Sequence, residues 1–213
     1  MKRTLLITVG LLAAISATAF SAVPEPGIRE GQATVGLSLY NLDRTSNIDG
    51  DWGDTFKFYE GYMTVGVGKK TAVFANYGTM GKTLPDPVSG ETTRLETSYT
   101  DYGLQYSLSR HVGVLAGYRN LNGRQATATG TATDKIRGLV YGLALRYEFG
   151  GGDKYSAYAT YLRGDRVEDF VIGTAFALEG DMFLDMSYKR LKGSTDSTTV
   201  MKGFGAAGVG IRL

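Results

Sequence analysis

The sequence predicts an all-β protein, a closed antiparallel transmembrane β-barrel of about ten strands, with eight as the alternative count. Three observations predict it. Apolar residues alternate with small or polar ones at period two through most of the chain, every second connection between these runs is tight, and beyond the first twenty residues no apolar run nears the length of a spanning helix.

The chain opens with the basic segment Met1-Lys2-Arg3, followed by an apolar run from Thr4 to Ala17 and the small-x-small site Ala17-Thr18-Ala19. This is the pattern of a secretory signal peptide. Residues 1–19 are expected to be removed on export, with the boundary between 19 and 22; residues 20–30 form a short periplasmic segment and residues 31–213 the barrel. The alternative, an uncleaved anchor, requires ~20 apolar residues, but Val23-Pro24-Glu25-Pro26-Gly27 follows at once.

Composition removes several function classes. The chain has no cysteine, which excludes a lipid-modified leader and a disulfide-stapled scaffold. With 43% hydrophobic residues it is too apolar for a disordered tail. Loss of Lys2 and Arg3 with the leader brings 23 basic residues down to 21, which balances the 21 acidic ones. No basic stripe is left to neutralise phosphates, so nucleic acid is not an expected partner.

The strands follow in order. In Gly31 to Leu42, Ala33, Val35, Leu37 and Leu39 alternate with Thr34, Gly36, Ser38 and Tyr40. The rhythm recurs in Phe56 to Gly68, Thr71 to Met80, Glu96 to Leu108, Val112 to Leu121 and Ile136 to Phe149. It continues less cleanly in Lys154 to Leu162, Val167 to Leu178, Met182 to Leu191 and Thr199 to Leu213.

The connections are of two kinds. Gly68-Lys69-Lys70, Ser109-Arg110-His111, Gly150-Gly151-Gly152-Asp153 and Glu179-Gly180-Asp181 are tight, whereas Asp43 to Thr55, Gly81 to Leu95 and Asn122 to Lys135 are long and polar. Short turns at one end and long loops at the other, with an even strand count, are the habit of bacterial membrane barrels. Arg163-Gly164-Asp165-Arg166 is the exception, a short link on the long-loop end; if its flanking strands are miscounted, the number falls to eight.

Which face meets lipid follows from the aromatics. Tyr102, Leu104 and Tyr106 stand opposite Asp101, Gly103, Gln105 and Ser107, and Leu139, Tyr141, Leu143, Leu145, Tyr147 and Phe149 stand opposite Gly138, Gly142, Ala144, Arg146 and Glu148. Tyr77, Tyr118, Tyr161, Phe170 and Tyr188 gather at one end of the strands, Tyr106, Phe149 and Tyr155 at the other. Two belts around an aliphatic band match interfacial girdles, which places the aromatic face outward in lipid and the localisation in the cell outer membrane. The alternative, a soluble periplasmic β-domain, would turn the same face inward.

The leader, Tyr106-Ser107-Leu108-Ser109 running into Val112-Gly113-Val114-Leu115-Ala116-Gly117-Tyr118-Arg119, and the ending Gly208-Val209-Gly210-Ile211-Arg212-Leu213 make the chain resemble the small outer-membrane barrels of the OmpA, OmpX and opacity-protein type. The resemblance is architectural and spans the chain after the leader. It implies outer-membrane lipids and the barrel-assembly machinery as partners. Members usually end in an aromatic residue; Leu213 departs from this, while Val209, Ile211 and Leu213 keep the alternation before the end.

Inward positions are expected to carry Glu60, Asp101, Arg119, Arg146, Glu148, Asp185, Lys189 and Arg212, a lumen charge network of both signs. Charges in a narrow barrel either pair across the lumen as a plug or line a small hydrated path, because buried charge must be paired or wet.

Catalytic, cofactor and metal sites are not expected. The one histidine, His111, lies in a short turn with Ser109 two residues before it, at the end away from the outer leaflet where a serine-histidine lipid enzyme would act. Gly203-Phe204-Gly205-Ala206-Ala207-Gly208 fits the dinucleotide fingerprint by letter, but too little chain follows it for a phosphate-binding helix. Asn47, Asp49, Asp51 and Asp54 could supply oxygens to a weak calcium site, yet Trp52 and Phe58 stand where a calcium loop needs Gly and Glu. Arg163-Gly164-Asp165 is a tripeptide that some host receptors bind, a short match of low specificity.

The expected function is that of a structural element or narrow porin-like pore. The alternative is a surface adhesin working through its loops toward an unspecified partner, and the third reading is an enzyme acting on outer-leaflet lipid.

Overall fold

A computed structural model of the chain describes residues 26–46, 50–85, 92–150, 154–178, 181–194 and 198–213. The expected signal peptide, residues 1–19, lies outside them. Ten strands run in order: β1 (Ala33–Ser46), β2 (Gly50–Gly66), β3 (Thr71–Pro85), β4 (Thr92–Ser107), β5 (Val112–Thr127), β6 (Gly130–Phe149), β7 (Tyr155–Gly164), β8 (Val167–Ala177), β9 (Met182–Ser194) and β10 (Thr198–Arg212). Each pairs antiparallel with its sequence neighbour, and β1 pairs with β10 from Thr34↔Arg212 to Ser46↔Thr199, so the sheet closes as a ten-stranded barrel. Closure removes every sheet edge from the wall and so satisfies the backbone internally. Eight strands are thereby excluded.

The long polar connections differ from expectation. They are largely strand: β5 and β6 continue in register to Thr127↔Gly130 and turn through Ala128-Thr129, and β3 and β4 continue to Pro85↔Thr92. Threonines dominate these tips, and a β-branched residue keeps an extended backbone even where no apolar face is buried. Arg163 to Arg166 remains a short link, so β7 and β8 end well below the β5–β6 hairpin.

The period-two pattern sets the faces as expected. Asp101, Gln105 and Ser107 are buried inside, while Tyr102, Leu104 and Tyr106 are about half exposed on the outer wall. Outward residues on the other strands include Leu139, Leu143, Leu145, Ile172, Leu184 and Met186. So large an apolar surface on the outside of a closed barrel is a lipid-facing wall.

The lumen is filled in layers. At the long-loop end, Leu42, Phe56, Phe58, Met80, Leu84, Leu95, Leu121, Val140, Val167, Leu191 and Met201 form one apolar cluster with Tyr40 and Tyr99. Two smaller clusters, one around Tyr62, Tyr158 and Phe183 and one around Phe74, Leu115 and Leu162, lie inside the barrel as well.

At the short-turn end, the segment 26–32, which takes in the last five residues of the expected periplasmic stretch 20–30, folds into the mouth. Pro26 and Ile28 are buried, the Gly27 amide donates to Ser107 Oγ at 3.0 Å, and the Gly31 amide donates to the Gly66 carbonyl at 3.0 Å. Gly27 has φ +85°, and a Cβ there would stand 3.0 Å from Arg110 Cα, so both backbone and space call for glycine.

Candidate functional site

The lumen holds a buried ionic layer beside its apolar clusters. Asp101 on β4 and Arg119 on β5 are direct register partners and both point inward. Arg119 Nε donates to Asp101 Oδ1 at 2.6 Å, its Nη2 donates to Asp101 Oδ2, and Nη2 also reaches Asp169 Oδ2 on β8 at 2.8 Å. A planar fork on one carboxylate with a second carboxylate on its flank is the geometry that favours arginine over lysine.

Lys189 on β9 continues the chain of charge. Its Nζ donates to Glu60 Oε1 at 2.9 Å, to Asp169 Oδ2 at 3.1 Å and to the Tyr99 hydroxyl at 3.1 Å. Tyr99 donates in turn to Glu60 Oε1, and its ring carries the Arg119 guanidinium 4.5 Å from the centroid. Five strands, β2, β4, β5, β8 and β9, are thus tied through one cluster of three carboxylates and two cations, every side chain at most 5% exposed.

A second polar group is centred on Asp185. It accepts from Ser38 Oγ at 3.0 Å, from Ser187 Oγ at 3.3 Å and from the Tyr158 hydroxyl, and Tyr40 Oη lies 3.1 Å from Ser187 Oγ.

Of the eight residues expected to form a lumen network, Glu60, Asp101, Arg119 and Lys189 come together in the ionic layer. Asp185 anchors the second group. Arg146 is buried elsewhere in the lumen, its Nε 3.5 Å from a part-exposed Glu148. Arg212 is part-exposed near the end of β10, its guanidinium 5.7 Å from the Phe183 ring. Sequence reasoning missed Asp169 and Tyr99. Asp169 sits two residues after Val167 and two before Val171, both inward, so the alternation itself marks it. Nothing along β4 shows that the Tyr99 hydroxyl would meet a glutamate 39 residues away.

Ser109 and His111 serve the turn. Ser109 Oγ accepts from the backbone amides of His111 and Val112, both at 3.1 Å. His111 Nδ1 lies 3.0 Å from the Arg146 carbonyl, and its ring packs on Tyr147 with centroids 5.7 Å apart. Asp165, the acid of Arg163-Gly164-Asp165, is fully outward at the tip of the β7–β8 link. Asn47 and Asp49 of the acidic stretch lie outside the described residues. No cluster of metal-ligating side chains occurs among the described residues.

No family model matches the chain, and no curated protein matches it. Among solved structures it is similar to Ail, the attachment invasion locus protein of Yersinia pestis, in complex with the heparin analogue sucrose octasulfate: 13% identical over 86% of this chain and 99% of that one, TM-score 0.49. Neisserial surface protein A is also 13% identical, over 85% of this chain and 99% of that one, TM-score 0.45. The CymD monoaromatic hydrocarbon channel is 9% identical, over 87% and 89%, TM-score 0.39. At these identities the likeness is one of fold; the closed barrel itself rests on this chain's own strand pairing.

Proposed function

We propose that this chain spans an outer membrane as a closed structural barrel whose lumen is plugged by its own side chains. The membrane half of the reading rests on the outer wall: a closed sheet with an aliphatic band between Tyr77, Tyr141 and Tyr161 at one end and Tyr106, Phe149 and Tyr155 at the other is built to meet hydrocarbon and two interfaces.

The observation that carries the plug is Lys189. From β9 it reaches Glu60 on β2 and Asp169 on β8, which Arg119 joins to Asp101 on β4, so the ionic layer ties opposite sides of the wall together. A hydrated path would need these charges to face water, yet they are buried beneath an apolar layer at the long-loop end. Small barrels are filled in this way by interior side chains.

Two measurements test it. Refolded in detergent micelles, the protein is expected to show a band that shifts on boiling and a β-rich circular dichroism spectrum, and in planar bilayers to give no resolved single-channel steps. Reproducible steps abolished by heat denaturation would replace the plug with a pore. Solubility without detergent would remove the membrane reading itself.

A further inference from the structure

The unequal heights of the hairpins leave a notch in the barrel rim. β6 pairs with β7 only from Val140↔Gly164 to Phe149↔Tyr155, so residues 130–139 of β6 have no strand beside them on that side. The notch has a volume of about 370 Å³ and is lined by Lys135, Arg137, Gly138, Asp165, Arg166 and, on its inner wall, Arg119.

Three features suit it to an anion. First, Arg119 is 1% exposed, and although Nε and Nη2 are bound to Asp101 and Asp169, its Nη1 has no hydrogen-bond partner among the described residues. A buried guanidinium nitrogen without an acceptor is costly, and an incoming acceptor relieves that cost. Second, the rim carries Lys135, Arg137 and Arg166 against one carboxylate, Asp165, whose side chain is 95% exposed and 3.8 Å from Arg166 Nε.

Third, the β6 backbone contributes donors. The Arg146 amide bonds to the His111 carbonyl on the β5 side, and the β5–β6 register runs unbroken to Thr127↔Gly130. Alternation along an antiparallel strand therefore turns the amides of Lys135 and Arg137 to the opposite side, into the notch.

We propose that the notch binds a phosphate group, as inorganic phosphate or as the phosphate of a lipid headgroup. The donors belong to the lumen wall, the strand edge and the β7–β8 tip, and a phosphate group offers them more acceptor oxygens and more charge than a carboxylate does. The three rim cations favour a dianion. The fork on Asp101 stays in place, because Nε and Nη2 hold it while Nη1, fixed in the same plane, is the nitrogen left for the ligand.

The test is calorimetric titration of inorganic phosphate into the full protein in uncharged detergent at low ionic strength. Saturable binding of one phosphate in the millimolar range is expected, weakened about tenfold in K135Q/R166Q, which removes two charge-assisted contacts at exposed positions. That double variant is expected to keep its heat-modifiable band; R119Q, which touches the buried layer, serves only if it refolds. Repeating the titration in phosphatidylcholine nanodiscs with and without phosphatidic acid assigns the source: a weaker apparent phosphate affinity with phosphatidic acid supports the site as a headgroup site, and an unchanged one supports it as a site for free phosphate. Binding that does not saturate, or that is the same within twofold in K135Q/R166Q, overturns the proposal.

Discussion

Asp101 and Arg119 face each other across the β4–β5 ladder, with no residue offset, and the guanidinium lies in fork geometry on the carboxylate. Cross-strand pairing normally brings opposite charges together on a wet face, where they contribute little. Here the same pairing is turned into the lumen, and both side chains are no more than 2% exposed.

Removing one member of such a pair leaves the other buried without its partner. Asp101→Asn is therefore expected to destabilise the folded barrel by about 3 kcal/mol. Urea unfolding in micelles, followed by loss of the heat-modifiable band, measures it; a change below about 0.5 kcal/mol, the size of an ordinary surface substitution, would show that the pair is solvated.

Lys189 and Glu60 couple strands that are far apart in sequence, 129 residues from one another. Lys189→Met leaves Glu60 and Asp169 facing each other without the intervening ammonium, and Glu60→Gln leaves Lys189 with Asp169 as its one carboxylate partner. The double variant E60Q/K189M is expected to cost clearly less than the sum of the two single changes, with a coupling of about 1–3 kcal/mol. Additive effects in the double-mutant cycle would mean that the two side chains do not interact in the folded barrel.

The alternation along each strand made the wall legible from sequence. Once one residue of β4 or β6 is assigned to lipid, period two assigns the rest, which is why Glu60, Asp101, Arg119, Asp185 and Lys189 could be read as inward. What alternation lacks is height. Inward charges meet only if the stagger between neighbouring strands lifts them to one level, and that stagger is a property of the closed sheet. Hence Arg146, Glu148 and Arg212 share the inward register with Arg119 but not its layer. The β5–β6 hairpin reads as a loop for a related reason: with both faces exposed from Gly130 to Lys135, its tip keeps β-branched residues but loses the apolar alternation that marks a strand.

Gly103 and Gly117 are register partners on β4 and β5, and the Phe74 ring lies over both. A Cβ on Gly103 would stand 2.3 Å from the Ala116 carbonyl oxygen, 2.6 Å from Gly117 Cα and 2.9 Å from Phe74 Cζ. Phe74 is itself buried in one cluster with Leu115, Ala144 and Leu162. Gly103→Val is expected to destabilise the barrel by about 1–3 kcal/mol through overpacking, and Phe74→Ala in the same chain to recover part of the loss. Denaturant midpoints of the two variants decide it: equal midpoints would mean that the clash is relieved by the backbone, not by the ring.

The outer wall offers the sharpest separation between a lipid-facing barrel and a soluble one. Leu143 on β6 lies between Tyr141, at the long-loop girdle, and Tyr147 and Phe149 toward the short turns, and its side chain is 47% exposed. In a bilayer this position lies inside the hydrocarbon band, one outward residue in from the girdle, so Leu143→Arg is expected to cost about 2 kcal/mol. Thr133→Arg, on the same strand but beyond the girdle, is expected to change stability by no more than about 0.5 kcal/mol. In water the two substitutions would be equivalent, both placing a long cation on an exposed strand face. Unfolding in lipid vesicles with denaturant therefore reads the environment directly: a large cost at Leu143 with none at Thr133 means that hydrocarbon surrounds the middle of β6, and equal small costs mean that water does.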